Sequence, residues 1–256
     1  MKEFTIGAND AGQRLDRFLA KAVPLLPASL AQKYIRLKRI KCNGGRAQRD
    51  LRLQAGDVLQ LYINDEFFDK PREDNAYLTV ATPKLNIVYE DENIILIDKP
   101  AGLLSHPDEG NYTDTAITRV KRYLYEKGEY NPESENSFAP SLANRIDRNT
   151  GGIVIATKNA EALRIISDKI KFRELDKFYL AAIHGVPKKK SDILEGYLQK
   201  NEDKNMVFLE HNKTDSNKTI LTKYTVIKSV GDTSLVEVEL LTGRTHQIRV
   251  HMASIG

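Results

Sequence analysis

Three runs near the end of the chain, KFYLAAIHG (177–185), TKYTVIKSV (222–230) and SLVEVELL (234–241), are rich in β-branched and aromatic residues. They succeed one another with no clear helical period between them. That order constrains the fold more than any other feature, because a regularly wound parallel sheet needs a helix after each strand. Upstream, Leu85, Ile87 and Tyr89 alternate, NIILIDKP (93–100) reads as a buried strand ending at Pro100, and GGIVIATKN is another strand. Ile117, Val120 and Leu124 mark one helix, and Leu163, Ile166 and Ile170 a second. The expected class over 85–256 is therefore α+β, a mixed and mainly antiparallel sheet with flanking helices. The polar stretch 188–218 is expected to be an excursion from it, a hairpin with solvated ends.

A smaller basic unit precedes this domain, spanning 13–64. Leu15, Phe18, Leu19 and Ala22 recur at helical spacing up to Pro24. Ser29 with Gln32 reads as a capping box opening a second helix. In that helix Leu30, Tyr34 and Leu37 are expected to face the core, with Gln32, Arg36 and Arg39 opposite. Asn43-Gly44-Gly45 should stop the helix and turn the chain, and DVLQLYI (57–63) alternates as a half-buried strand. Between Lys33 and Arg52 the basic side chains Lys33, Arg36, Lys38, Arg39, Lys41, Arg46, Arg49 and Arg52 face the single acid Asp50. A stripe of one sign is the footprint of a phosphate backbone, and Lys33, Arg36, Arg39 and Arg46 are the expected RNA-docking residues of this small α/β module. Residues 65–84 carry Pro71 and Pro83 without steady periodicity and read as a linker, with Phe67 and Phe68 able to dock on a neighbour.

Composition narrows the chemistry. The net charge is only +4, so the distribution of charge, not its sum, points to a polyanion. Cys42 is the only cysteine, which rules out an internal disulfide and any thiolate metal cluster within the chain. His106, His246 and His251 lack the close spacing of a metal-binding pair, so no metal is expected. No apolar run approaches a membrane span and the N-terminus lacks the apolar core of a secretion signal. The expected setting is the cytoplasm, without membrane, and the expected state a monomer.

Four segments place polar or aromatic groups beside a strand and a glycine: DKPAGLLSHP (98–107), NRIDRNTGG (144–152), KFYLAAIHG and LTGRTHQIRVHM (241–252). In the second, Asp147 stands between Arg145 and Arg148 at the mouth of an apolar strand. Taken together the segments resemble the RluA-type pseudouridine synthase family. Its Lys-Pro-x-Gly motif matches Lys99, Pro100 and Gly102. Its central motif, His-Arg-Leu-Asp, two residues, then Thr-Ser-Gly, appears as Asn144-Arg145-Ile146-Asp147, Arg148-Asn149, Thr150-Gly151-Gly152. Its Lys-x-Tyr motif matches Lys177 and Tyr179, and Gly-Arg-Thr-His-Gln-Ile-Arg-Val-His is met in full from Gly243 to His251. The first unit resembles the RNA-binding domain named after ribosomal small-subunit protein four.

The resemblance implies an isomerase that breaks the bond from ribose to N1 of uracil, rotates the base and joins the ribose to carbon 5. No redox change occurs, so no cofactor is implied. Asp147 would be the indispensable carboxylate, either adding to C1′ or removing a ribose proton. Arg244 would pair with it, Tyr179 would stack on a flipped base, and Ile248 would wall the ring's other face. Arg145 would be the more structural of the two arginines or help hold the target nucleotide open, Arg148 would touch phosphate and His106 would line the substrate site. Lys99 and Lys177 read as structural or phosphate-facing, and His246 and His251 as bonding backbone or RNA. The implied substrate is uridine in structured RNA, large-subunit ribosomal RNA first and transfer RNA second. Family chains continue past the last motif, so the resemblance implies a catalytic domain shortened at Gly256. Asn144 and Gly151 replace the family's histidine and serine without removing a catalytic group. A non-catalytic RNA-binding or ribosome-assembly factor is the main rival. A glycosidase would need a second acid paired with Asp147.

Overall fold

The helical period at Leu15, Phe18, Leu19 and Ala22 becomes α1 (Leu15–Ala22), with all four side chains buried. This is seen in a computed structural model that describes residues 1–68, 84–108, 114–201, 206–210 and 212–255. The linker expected over 65–84 lies largely outside the described residues. Phe67 and Phe68, at its start, form a short 3-10 turn (Asp65–Phe68) and pack against the first hydrophobic core.

The second helix, α2 (Ala28–Arg36), corrects the sequence reading at both ends. Pro27 occupies the N-cap and no side chain caps the helix, so the Ser29–Gln32 box does not form. Ser29 already lies inside the first turn. The buried face is Ala31, Tyr34 and Ile35, while Leu37 is 56% exposed. The helix closes at Arg36 and Lys38 turns left-handed at φ 59°, which takes Leu37 off the helical period. Asn43-Gly44 therefore does not stop a helix. With φ of 51° and 74° these two residues close the hairpin between β2 (Ile40–Cys42) and β3 (Gly45–Arg46), the two positive values that a type I′ turn demands.

Two further strands complete this sheet. β4 (Val58–Leu61) pairs with β2 and with β1 (Lys2–Thr5), giving the order β1-β4-β2-β3. The first strand lies outside the unit read from residue 13 onward. Only Phe4 of its four residues is buried, too little to show as alternation.

The same compact unit, Met1–Ser167, holds a second sheet. Its strands are β5 (Ile87–Glu90), β6 (Ile94–Lys99), β7 (Ser141–Leu142) and β8 (Gly152–Thr157), in the order β5-β6-β8-β7. Helix α3 (Ala116–Glu126) sets Ile117, Val120 and Leu124 on Ile95, Ile97 and Val154. Thr115 caps it in a true capping box with Thr118. Burying each such aliphatic side chain stabilises the unit by about 1.5–3 kcal/mol before entropy is counted. Helix α4 (Ala160–Lys171) follows β8.

A polar hub ties the two halves of this unit. Asp10 is 1% exposed and accepts from Ser137 Oγ at 2.5 Å, Asn136 Nδ2 at 2.8 Å and the Gly7 amide at 3.3 Å. Around it Asn9 donates to Glu135, Gln13 to Ser137 and Arg164 to the Ala11 carbonyl. A carboxylate so enclosed is stable only because donors surround it.

The second unit, Asp168–Gly256, is one antiparallel sheet. Its strands are β9 (Phe178–His184), β10 (Ser191–Asn201), β11 (Met206–Glu210), β12 (Lys218–Val230) and β13 (Thr233–Leu240). They stand in the order β11-β10-β12-β13-β9, with α5 (Gln247–Ser254) following. The stretch read as an excursion does form a hairpin, but β10 is no appendage. It pairs with β12 from Ser191 opposite Thr225 to Leu198 opposite Lys218 and so lies inside the sheet. Its exposed alternate face is what made it read as solvated. The class is α+β, and every ladder between the named strands is antiparallel.

Candidate active site

Asp147 sits half-buried on the connection between β7 and β8, and its two neighbours in sequence are pinned. On one side Ser105 Oγ donates to the Ile146 carbonyl at 2.8 Å and accepts from the Ile146 amide at 3.3 Å. On the other the Arg148 carbonyl accepts from the Gly102 amide at 2.8 Å, and Arg148 Nε donates back to the Gly102 carbonyl at 3.1 Å. The Thr150 amide closes a turn on the Asp147 carbonyl at 3.1 Å. The loop enters β8 at Gly152, whose φ of 128° only glycine takes without strain.

Lys99 completes the frame. It is 1% exposed, and its Nζ donates to the carbonyls of Leu103 at 2.6 Å, Pro100 at 3.0 Å and Arg148 at 3.2 Å. Burial lowers its pKa, and the nearby negative charge of Asp147 acts in the opposite direction. A side chain so enclosed cannot face phosphate; of the two readings given to Lys99, the structural one holds. Asn144 supplies the other end of the loop. Its Oδ1 accepts from the Ile155 amide at 2.8 Å and its Nδ2 donates to the Ile153 carbonyl at 3.3 Å, so the side chain extends the ladder of β8.

Arg145 and Arg148 are exposed on either side of Asp147. His106 is exposed as well, though crowding of its ring, with Arg145 and Lys121 close by, holds its pKa below the usual imidazole range. Asp147, Arg145, Arg148 and His106 thus belong to the first unit.

Tyr179, Arg244 and Ile248 belong to the second. Tyr179 lies on β9 opposite Val238 and packs, with Ile248 of α5, against a core of Tyr224, Val236, Val238 and Met252. Arg244 is exposed in the loop that joins β13 to α5. Lys177 Nζ lies 3.5 Å from where a Cβ on Gly243 would stand. His246 is the left-handed N-cap of α5, at φ 57°. His251 is 1% exposed, and its Nδ1 lies 2.7 Å from Thr222 Oγ1. That removes it from contact with RNA, and burial lowers its pKa. Among the described residues no group of three or more metal-ligating side chains comes together.

Sequence reasoning overlooked Ser105 and Gln247. Ser105 sits in a Gly/Pro-containing loop where serine ordinarily marks a turn. Only the fold brings it to Ile146.

The four expected docking residues are exposed: Lys33 and Arg36 on α2, then Arg39 and Arg46. Arg36 and Arg46 line a cavity of about 450 Å³ together with Gln32, Ile35, Gln48 and Arg49. Arg39 lies over the Tyr34 ring, 5.5 Å from its centroid. Arg49 and Arg14 both bind Asp16, at 2.9 and 2.7 Å, and outweigh burial to hold that carboxyl below its usual range. Among the described residues Arg36 and Arg46 make no ion pair. No helix among the described residues is long and apolar enough to cross a membrane.

Known proteins resemble this chain. Residues 93–254 match the RNA pseudouridylate synthase family, and residues 13–59 match the S4 domain. An uncharacterised RNA pseudouridine synthase of Mycoplasma genitalium is 31% identical over 96% of this chain and 76% of its own length. The ribosomal large subunit pseudouridine synthase C of Vibrio parahaemolyticus is 29% identical over 96% of this chain and 74% of its own. Among solved structures, human RNA pseudouridylate synthase domain containing 4 superposes with a TM-score of 0.53 at 22% identity, covering 71% of this chain and 67% of that one. The two chains thus share a fold. With the family match spanning both the pinned aspartate loop and the arginine loop, the chain belongs to the RNA pseudouridylate synthases, enzymes that act on RNA.

Proposed function

We propose that this enzyme isomerises uridines of large-subunit ribosomal RNA to pseudouridine. Residues 13–64 serve as its docking module and residues 85–256 as its catalytic domain. The observation that carries the reading is the Asp147 loop, its carboxylate held between two pinned neighbours and flanked by two exposed arginines. Relatives named for the ribosomal large subunit support the choice of RNA. The exposed arginines and lysines of α2 and the β2–β3 hairpin support docking on a phosphate backbone.

In this reading the target uridine leaves its stack and enters the site, with Arg145 holding the opened strand and Arg148 on phosphate. Asp147 either adds to C1′ or takes a ribose proton. The bond from N1 to C1′ breaks and the base turns. Carbon 5 then bonds to C1′ as Asp147 leaves that carbon or returns the ribose proton, and the hydrogen lost from carbon 5 to solvent is matched by a proton that N1 takes up. Tyr179 stacks on the ring, its hydroxyl placed to assist that proton loss, and Ile248 walls the other face. Arg244 supplies the arginine that the reaction uses. His106 lines the entrance.

Tritium release from RNA labelled at carbon 5 of uracil reads this bond change directly. Release from large-subunit RNA is expected, lost by at least about 10³-fold in Asp147→Ala. Faster release from transfer RNA would reassign the substrate. No release from the folded protein on either RNA would leave a binding factor in its place.

A further inference from the structure

Gln247 belongs to the arginine-bearing motif, yet none of the roles above uses it. It is 1% exposed, and its carboxamide is saturated on every side. The oxygen accepts from the Arg244 amide at 3.1 Å and from Thr242 Oγ1 at 2.9 Å. The nitrogen donates to the Leu221 carbonyl and to Thr222 Oγ1, both at 2.9 Å. A primary amide offers two donors and two acceptor sites, and here all four are used. One pair of bonds grips the loop that carries Arg244, and the other grips β12. The Gln247 amide also donates to the Arg244 carbonyl at 3.1 Å, so Arg244 is held at both backbone groups by one residue.

The chain continues inward. Thr222 Oγ1 accepts a hydrogen bond from Gln247 Nε2 and shares a second with His251 Nδ1 at 2.7 Å. Thr222 and His251 are both buried, at 0% and 1% exposure, and His251 stands one turn along α5 from Gln247. In the loop itself Gly243, Arg244 and Thr245 are exposed and His246 is left-handed.

We propose that Gln247 is a positioning residue for Arg244. The buried chain from His251 through Thr222 to the Gln247 carboxamide orients the loop, so that the guanidinium is presented in one direction and needs no reorganisation during turnover. This rests on Arg244 being the arginine of the site. Because misplacement of a charged group by about 1 Å costs about 10²-fold in rate, the carboxamide should matter to turnover well beyond its share of stability.

The test is a double-mutant cycle in single-turnover tritium release at saturating RNA, with Gln247→Met and Arg244→Ala alone and combined. Gln247→Met keeps the volume and deletes the four bonds. Expected is a fall of about 10²-fold in rate with the RNA half-saturation concentration moved less than about threefold. In the Arg244→Ala background the same change should cost nothing further. Equal losses in both backgrounds would overturn the proposal, because a residue that only stabilises the fold acts whether or not the guanidinium is present. Should Gln247→Met not fold, Thr222→Val replaces it in the cycle, with a smaller loss and the same non-additivity expected. If Arg244→Ala by itself leaves turnover intact, the assignment of Arg244 fails and the positioning role with it. Tritium release that still depends on Asp147 would then show that the synthase reading stands.

Discussion

Lys99 Nζ donates to the carbonyl of Arg148 at 3.2 Å, one residue beyond Asp147, from a site that is 1% exposed. The ammonium thereby joins the end of β6 to the aspartate loop, and two more carbonyls, of Pro100 and Leu103, complete its shell. A buried cation without a carboxylate bonded to it is tolerable only where carbonyl dipoles converge.

Lys99→Met is therefore expected to destabilise the first unit by about 2–4 kcal/mol, since three carbonyls lose their donor. For a unit of this size that is a fall of about 5–15 °C in the melting temperature, measured by circular dichroism. Turnover should fall with it, because the Arg148 carbonyl loses one of its two donors. A melting temperature within about 1 °C of wild type would show that the three carbonyls find water instead.

A second expectation concerns acid. Glu90 accepts from Lys127 Nζ at 2.7 Å, Tyr123 Oη at 2.7 Å and Lys158 Nζ at 3.0 Å. Burial acts to raise its pKa, but these three donors outweigh it and bring the value from 4.5 down to about 2. The folded state thus binds the proton more weakly than the unfolded chain. The stabilisation is fully present above pH 4.5 and is lost as pH falls from there toward 2. Urea unfolding between pH 6 and pH 3 (roughly the range that brackets the unfolded carboxyl) should show the decline. Glu90→Gln should flatten it, and an unchanged slope in that variant would place the acid sensitivity elsewhere.

Salt reports on the docking surface. Arg36 and Arg46 share one cavity wall and make no ion pair among the described residues. Each one that meets phosphate should contribute about one unit to the slope of log affinity against log salt. Arg36→Ala and Arg46→Ala are expected to lower that slope one step each and to weaken every RNA alike. Arg49→Ala should do less, because Asp16 already binds that guanidinium at 2.9 Å. Slopes equal to wild type in the Arg36 and Arg46 variants would remove the cavity from the interface.

Much of the architecture was legible because it rests on local pattern. The α+β class, the strands that become β6, β8, β9 and β13, and α1 and α3 follow from apolar periods of two and of three to four, which burial enforces residue by residue. Where one residue overrides the period, the reading failed. Pro27 displaced the N-cap expected at Ser29, left-handed Lys38 released Leu37 to solvent, and β1 buries a single side chain. The hairpin 188–218 looked peripheral because its polar face hides a strand paired on both edges.

The chemistry divides the same way. Four segments set polar or aromatic groups beside strands and glycines, and it was their resemblance to a known family that singled out Asp147, Tyr179 and Arg244. Their order along the chain also specified the family. What holds them was beyond reach of sequence. Ser105 meets Ile146, Lys99 meets Arg148 and Gln247 meets Thr222 across separations of 41, 49 and 25 residues. Hydrogen bonds of that range depend on angles and on distances near 3 Å, which only the packed backbone supplies.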